Sequence, residues 1–294
     1  MRGLVLVGFP IPWQQTVRRS KNLERFALFF GSAPAVHARI WLDLQSADDE
    51  DAHVDKDKSG TCFEHMLMAC HFLKCCPAAN QSEGLFGLSD TTIRRWVWFY
   101  VGKIRALKTA KIVWPEHWNP TNAGPETTFS LAVDGTHCRI GEPKHDRCSK
   151  NQFFCSHKFK QAGLGYEMAL SVFENRCIWM NGPFPAGKND ISIFRSALKG
   201  KMSAGQLGVA DKGCRGECAL LSMPNSSDTA EVREFKGRAL ARHEKFNGQI
   251  KNFGCLSGQF RHHQDGFEKH QLCFEAVVVI CQHQLENGSP SMVV

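Results

Sequence analysis

The sequence has no apolar run approaching the roughly 20 residues that a membrane-spanning helix needs, so no spanning segment is expected. Its start, MRGLVLVGFPIPW, has one Arg and a short apolar run but no small-residue cleavage site, and is not read as a secretion signal. No strong basic targeting cluster is visible. A cysteine framework is missing too, although there are 13 cysteines. They are irregularly spaced and odd in number, and Cys70, Cys177, Cys273 and Cys281 sit in apolar segments, as buried thiols of a reduced intracellular protein do. Cys75–Cys76 makes no ligand knuckle, and Cys214-x3-Cys218 has no second half nearby. His262, His263, His270 and Cys273 are the grouping most like a zinc site, with core or surface residues as the simpler reading. Asp55-x-Asp57-x-Ser59-Gly60 lacks the closing bidentate Glu of a calcium loop, because Met66 stands there.

What is present is ordinary for a folded chain. Of its 294 residues 43% are hydrophobic and 22% charged, a length that favours about two domains. The net charge is +7, spread along the chain, which favours a polyanionic partner.

Residues 1–60 form a poorly defined helical segment and an acidic loop. Asn22–Gln45 reads as helical with a break at Gly31–Pro34, and Ser46–Gly60 reads as a solvated loop. Residues 61–111 are sharper. Thr61-x-x-Glu64 has the form of a capping box, in which the two side chains satisfy free N–H groups at a helix start. Phe63, Met66, Leu67, Cys70 and Leu73 then share one face. After a short segment at Asn80–Gly87, a helix led by Ser89 carries Ile93, Trp96, Val97, Tyr100, Ile104 and Leu107 as a core-facing stripe. Arg94 and Arg95 lie off that stripe near its start. Three helices with a Ser-capped third one form a helix-turn-helix-like layout, whose third helix meets base edges through its first turns. A solvated basic face on a packing helix is the alternative. Residues 112–127, with Trp114-Pro115, read as a linker.

From residue 128 the pattern turns strand-like. In Phe129–Arg139, Phe129, Leu131 and Val133 alternate with Ser130 and Ala132, as in a strand with one face more deeply buried, and the run ends on Asp134. A basic polar stretch with Lys158 follows. Gly165–Phe173 and Cys177–Asn181 are strand candidates, Asn189 or Asp190 caps a short helix, and Leu207–Ala210 is a strand ending on Asp211. Ala219–Met223 is a fifth strand, and a basic helix carries Glu244. On that helix Phe246, Ile250 and Phe253 form one stripe, and Glu244 lies roughly 200° from Phe246 round the axis. Arg238, Arg242 and Lys245 are suited to the phosphates flanking a cut. Leu272–Gln284 is a closing buried helix or strand, and 286–294 is a tail.

Each acid has a plain alternative: a hairpin turn for Asp134-Gly135, a strand-end turn for Asp211, a solvated helix charge for Glu244. Together, two acids at strand ends and a third on a basic helix make a metal-dependent phosphodiester site, for which Mg²⁺ needs only a few carboxylates plus waters and phosphate oxygens. Three strands, a helix, two strands and a helix is the order of the ribonuclease H fold. The expected class is therefore α/β (α+β): an RNase H-like core at 128–285, with a five-stranded mixed sheet and flanking helices, preceded by the helical region.

Val133-Asp134-Gly135-Thr136-His137-Cys138 resembles the first catalytic block of DDE-type transposases of the PIF/Harbinger group. Ser156-His157-Lys158-Phe159, Asn181-Gly182-Pro183-Phe184, Asp190-Ile191-x-Ile193-Phe194-Arg195 and Ala210-Asp211-Lys212-Gly213 resemble later blocks. Ala241-Arg242-His243-Glu244-x-Phe246-Asn247-Gly248 resembles the last. The resemblance runs from about residue 60 to 285 and depends on several ordered blocks. It implies an Asp134–Asp211–Glu244 triad holding two Mg²⁺ or Mn²⁺ ions, with Asp190 a secondary candidate whose alternative role is a helix cap. It also implies cleavage and strand transfer on double-stranded DNA at transposon terminal repeats and a target site, nuclear localisation, and a homo-oligomer or an accessory DNA-binding protein. Cys155 and Cys214 stand where the family commonly has aromatics. An active transposase and a decayed or domesticated, non-catalytic DNA-binding protein both remain open. An RNase H-like nuclease acting on RNA–DNA hybrids has no support from the helical region.

Overall fold

The computed structural model describes residues 16–50, 62–116, 118, 128–143, 152–203, 205–260 and 267–287. These residues form two compact units of a mixed α/β protein. One unit takes the described residues within 1–111, 250–257 and 272–287, and the other takes those within 112–249 and 258–271.

The first unit is helical: α1 (Thr16–Phe30), α2 (Pro34–Glu50), α3 (Phe63–Cys75), α4 (Ala79–Phe86), α5 (Asp90–Ala106) and the short α6 (Lys108–Lys111). The break between α1 and α2 falls where Gly31 and Pro34 put it. Gly31 has a φ of +91°, and a β-carbon there would stand 2.4 Å from the Phe253 ring, so both conformation and space require glycine. Pro34 opens α2, where its missing N–H costs nothing. The expected loop at Ser46–Gly60 starts later, since α2 continues to Glu50. Thr61 lies outside the described residues. The N-cap of α3 is Cys62, without a side-chain cap bond. Ser89 does cap α5, its hydroxyl accepting from the Thr92 N–H at 3.4 Å, and the expected stripe from Ile93 to Leu107 is buried.

The second unit is built on β1 (Phe129–Arg139), β2 (Gly163–Ser171) and β3 (Cys177–Pro185), then α7 (Asp190–Ser196), β4 (Leu207–Ala210) and β5 (Leu221–Ser222). The sheet is mixed, in the order β3-β2-β1-β4-β5. β2 is antiparallel to both β1 and β3, whereas β1, β4 and β5 run parallel. The chain then enters α8 (Ala230–Lys251), a short turn α9 (Gly254–Ser257) and α10 (Glu268–Glu286). The closing apolar segment is thus a helix. Its residues from 272 onward belong to the helical unit, where buried Glu275 accepts from Arg105 at 2.6 Å and Lys108 at 2.8 Å.

Both faces of the sheet are covered. Leu131 and Val133 pack with Phe194 and Leu198 of the α7 region, and partly buried Trp114, Trp118 and Trp179 close that layer. The described part of the expected linker is therefore anchored on the sheet by its tryptophans. Ala132, Val209 and Phe129 pack on the other side with Phe235 and Ala239 of α8. This corrects the reading of β1 as a simple alternation: a register irregularity between Phe129 and Leu131 moves Phe129 to the Ala132 side, and residues 129–133 are all buried. Burial on two faces removes the polar half of the period-2 pattern.

Candidate active site

Parallel pairing sets the first two acids side by side. Val133 is the partner of Ala210, so the next residues, Asp134 and Asp211, lie at the same level of neighbouring strands, whose spacing is about 4.8 Å. Asp134 Oδ1 accepts from the Gly135 N–H at 2.7 Å. Asp211 Oδ1 accepts from the Gly213 N–H at 2.8 Å, which caps a single 3₁₀ turn.

Asp190, on the first turn of α7, reaches the same place. A β-carbon on Gly135 would stand 2.8 Å from Asp190 Oδ1, and one on Gly213 would stand 2.8 Å from Asp190 Oδ2. The glycine after the first acid and the glycine two after the second therefore leave the gap that this carboxylate fills. Burial raises the Asp190 pKa, the charges of Asp211 and Asp134 raise it further, and Lys158 opposes them. Asp190 makes no side-chain cap bond, and Asn189 occupies the N-cap position of α7, also without one.

The Ser-His-Lys segment holds the rim. Ser156 Oγ lies 2.8 Å from His137 Nδ1 and accepts from the Lys158 N–H at 3.2 Å. Lys158 Nζ donates to the Gly135 carbonyl at 3.1 Å. A pocket opens beside these groups, lined by Asp134, Gly135, His137, Tyr166, Glu167 and Asp190, with Val133, Ile193 and Cys214 as apolar wall. Tyr166 is anchored by its hydroxyl, 2.7 Å from His270 Nδ1.

Glu167 is a member that sequence reasoning missed. It pairs with Gly135 across β1 and β2, is 4% exposed, and accepts from Trp179 Nε1 at 3.0 Å. Burial pushes its carboxyl up to about 7, against the Trp179 bond and with help from the Asp190 charge. The available signal was a lone acid inside the apolar run GYEMALS.

Helix α8 delivers His243 and Asn247 to Asp134, not Glu244. Asn247 Nδ2 donates to Asp134 Oδ2 at 2.8 Å, and His243 Nδ1 lies 4.0 Å from the same oxygen. Glu244 is exposed, three residues before Asn247 and about 60° round the helix from it. It is not one of the charges acting on Asp190.

The cations are placed unequally. Lys158 and Lys245 are on the surface, and Arg238 is exposed with Glu234 at 2.8 Å. Arg242 corrects the expectation of a phosphate contact: it is 4% exposed and its guanidinium donates to the Ser171 carbonyl, with burial lowering its pKa to about 10. In the helical unit Arg94 pairs with Asp90 at 2.7 Å and remains 64% exposed, while Arg95 lies over the Trp96 ring at 5.3 Å.

An all-carboxylate donor set suits a hard, oxygen-preferring divalent cation such as Mg²⁺, and the glycine gap shows that room for a third acid is built in. Among the described residues no group of three or more His, Cys, Asp or Glu side chains is placed to hold a metal ion. His262 and His263 of the zinc-like grouping lie outside the described residues, His270 is bonded to Tyr166, and the described cysteines are all free thiols. No family model, curated protein or solved structure matches this chain.

Proposed function

We propose that this chain is a divalent-metal-dependent DNA endonuclease of the DDE transposase type, with an RNase H-like core and a helix-turn-helix-like helical region. One observation carries the reading: Asp134 and Asp211 leave adjacent parallel strands at the same level, with the Asp190 carboxylate seated between the glycines that follow them. The five-stranded mixed sheet, covered on both faces, is the architecture such a core calls for.

In this reading Asp134 and Asp211 hold the cations on backbones fixed by the sheet. Asp190 joins them from α7, and Glu244, exposed on α8 and turned from the residues that face Asp134, is the further acid that the resemblance implies. A bound pair of Mg²⁺ or Mn²⁺ ions supplies Lewis acidity at the phosphate and an activated water at neutral pH. Lys158 offsets the crowded negative charge at Asp190 and, with Lys245 and Arg238, holds the phosphates beside the cut. Arg94 and Arg95 read transposon-end DNA from the start of α5. A nuclear location and assembly with a second copy or an accessory DNA-binding protein follow from that activity.

A second reading, a DNA-binding protein that no longer cleaves, draws on the exposed position of Glu244 and its distance round the helix from the residues facing Asp134. Cleavage of supercoiled plasmid carrying the element's inverted repeats separates the two. Wild type is compared with Asp134→Ala, with and without Mg²⁺ or Mn²⁺. Metal-dependent cutting that vanishes in the variant supports the enzyme. Binding without cutting by folded protein moves the conclusion to the second reading.

A further inference from the structure

Asp134 is held from two sides. One oxygen accepts from the backbone N–H of its own neighbour, Gly135, and the other accepts from the Asn247 amide. An ionised carboxylate only accepts, so the amide must present its Nδ2 to Asp134 and turn its Oδ1 away. That Oδ1 is buried without a hydrogen-bond partner, in a side chain only 8% exposed. Leaving an acceptor unsatisfied is unfavourable, so the arrangement favours the donor end at the expense of the acceptor end.

His243, one turn earlier, does not supply the same bond. Its ring is fully buried, and its Nε2 lies 3.1 Å from the Met168 carbonyl, which requires the proton on Nε2. In the neutral ring Nδ1 then carries a lone pair, and at 4.0 Å from Asp134 Oδ2 it is beyond hydrogen-bond range in either protonation state.

We infer that Asn247 is a positioning residue that fixes the plane of the Asp134 carboxylate and thereby the lone pairs it offers to a divalent cation. The inference rests on the reading of Asp134 as a metal-binding acid. Each carboxylate oxygen accepts in two directions. Gly135 and Asn247 take one on each oxygen, and the remaining two are aimed by where those donors stand. A neutral amide does this without cancelling the charge that attracts the cation. Such outer partners of metal ligands govern ligand orientation.

The test is binding of Mn²⁺ alone, followed by the loss of the free-ion paramagnetic resonance signal. It uses the full chain as wild type, Asn247→Leu and Asp134→Asn. Leu has the branched outline of Asn though a larger volume, removes the donor and also removes the orphaned Oδ1; the melting temperature, expected to stay within a few degrees, shows that the variant folds. Asn247→Leu is expected to bind Mn²⁺ about 10–100-fold more weakly, with metal-free DNA binding within about twofold of wild type. Should Leu not be accommodated, Asn247→Ser, whose hydroxyl is too short to reach Asp134, carries the same expectation. Wild-type Mn²⁺ binding lost in Asp134→Asn but unchanged in a folded Asn247 variant overturns the role of Asn247 and leaves the site standing. Mn²⁺ binding that is absent from wild type, or the same in Asp134→Asn, overturns the metal site and the role of Asn247 with it.

Discussion

A β-carbon on Gly213 would stand 2.8 Å from Asp190 Oδ2. The φ of Gly213 is not in the left-handed region, so alanine fails there for want of space, not conformation. Gly213→Ala is expected to displace the Asp190 carboxylate and to lower stability by about 1–3 kcal/mol. Denaturant unfolding measures the loss. In an Asp190→Ala background the same change should cost less, because the nearest clashing atom is gone and only Asp211 Oδ1, at 3.0 Å, still crowds the position. A double-mutant cycle with no coupling would show that the two residues do not meet.

The acids are separable by neutral isosteres. Asp211→Asn is expected to abolish cleavage while leaving DNA affinity within a few-fold. Retained cleavage would remove Asp211 from the site. Asp190→Asn and Glu244→Gln, assayed side by side, rank the two remaining acids. Burial and the neighbouring acids already oppose the Asp190 charge, so Asp190→Asn should raise the metal-free melting temperature while lowering cleavage at least tenfold, the trade-off expected of a functional group. A fall in melting temperature would assign Asp190 a structural role instead.

Glu167 gives a pH signature. Its folded pKa, about 7, lies above the ordinary glutamate value of 4.5, so the folded protein binds the extra proton between those limits. Stability is therefore full below about pH 4.5, falls as pH rises, and levels off above about pH 7, by an amount on the order of 3 kcal/mol. Glu167→Gln, which keeps an acceptor for the Trp179 N–H, should flatten that slope. Wild type and variant with parallel stability profiles from pH 4.5 to 7 would mean that the burial of Glu167 does not control its titration.

Two neighbouring cations on α8 should respond in opposite ways. Arg242→Ala removes a buried guanidinium and leaves the Ser171 carbonyl without its donor, which is expected to cost about 1–3 kcal/mol of stability. Its effect on the salt dependence of DNA binding should be nil. Exposed Lys245→Ala should leave stability within about 0.5 kcal/mol and reduce the salt slope by about one. Arg94→Ala and Arg95→Ala should weaken binding to element ends more than to random DNA. An equal loss on both would demote them to phosphate contacts.

Much of this architecture is legible in the chain itself. The spacing of Ile93, Trp96, Val97, Tyr100 and Ile104 dictates α5, and Ser89 marks its start, because helix periodicity and capping are local effects set by residues within a turn or two. The strands that end on Asp134 and Asp211 are likewise visible as apolar runs that stop at a carboxylate. The face to which Phe129 belongs is not, because one register irregularity reverses the alternation.

Tertiary structure alone decided which polar side chains lie inside. Arg242, His243 and Asn247 read as the basic, polar side of a helix, yet they are buried because Ser171, Met168 and Asp134 receive them. Glu167 is buried beside Trp179, and Asp190 meets Gly135 and Gly213 across segments far apart in sequence. A polar group enters a protein interior only where a partner is waiting. That partner comes from a distant part of the chain, so local pattern cannot announce it.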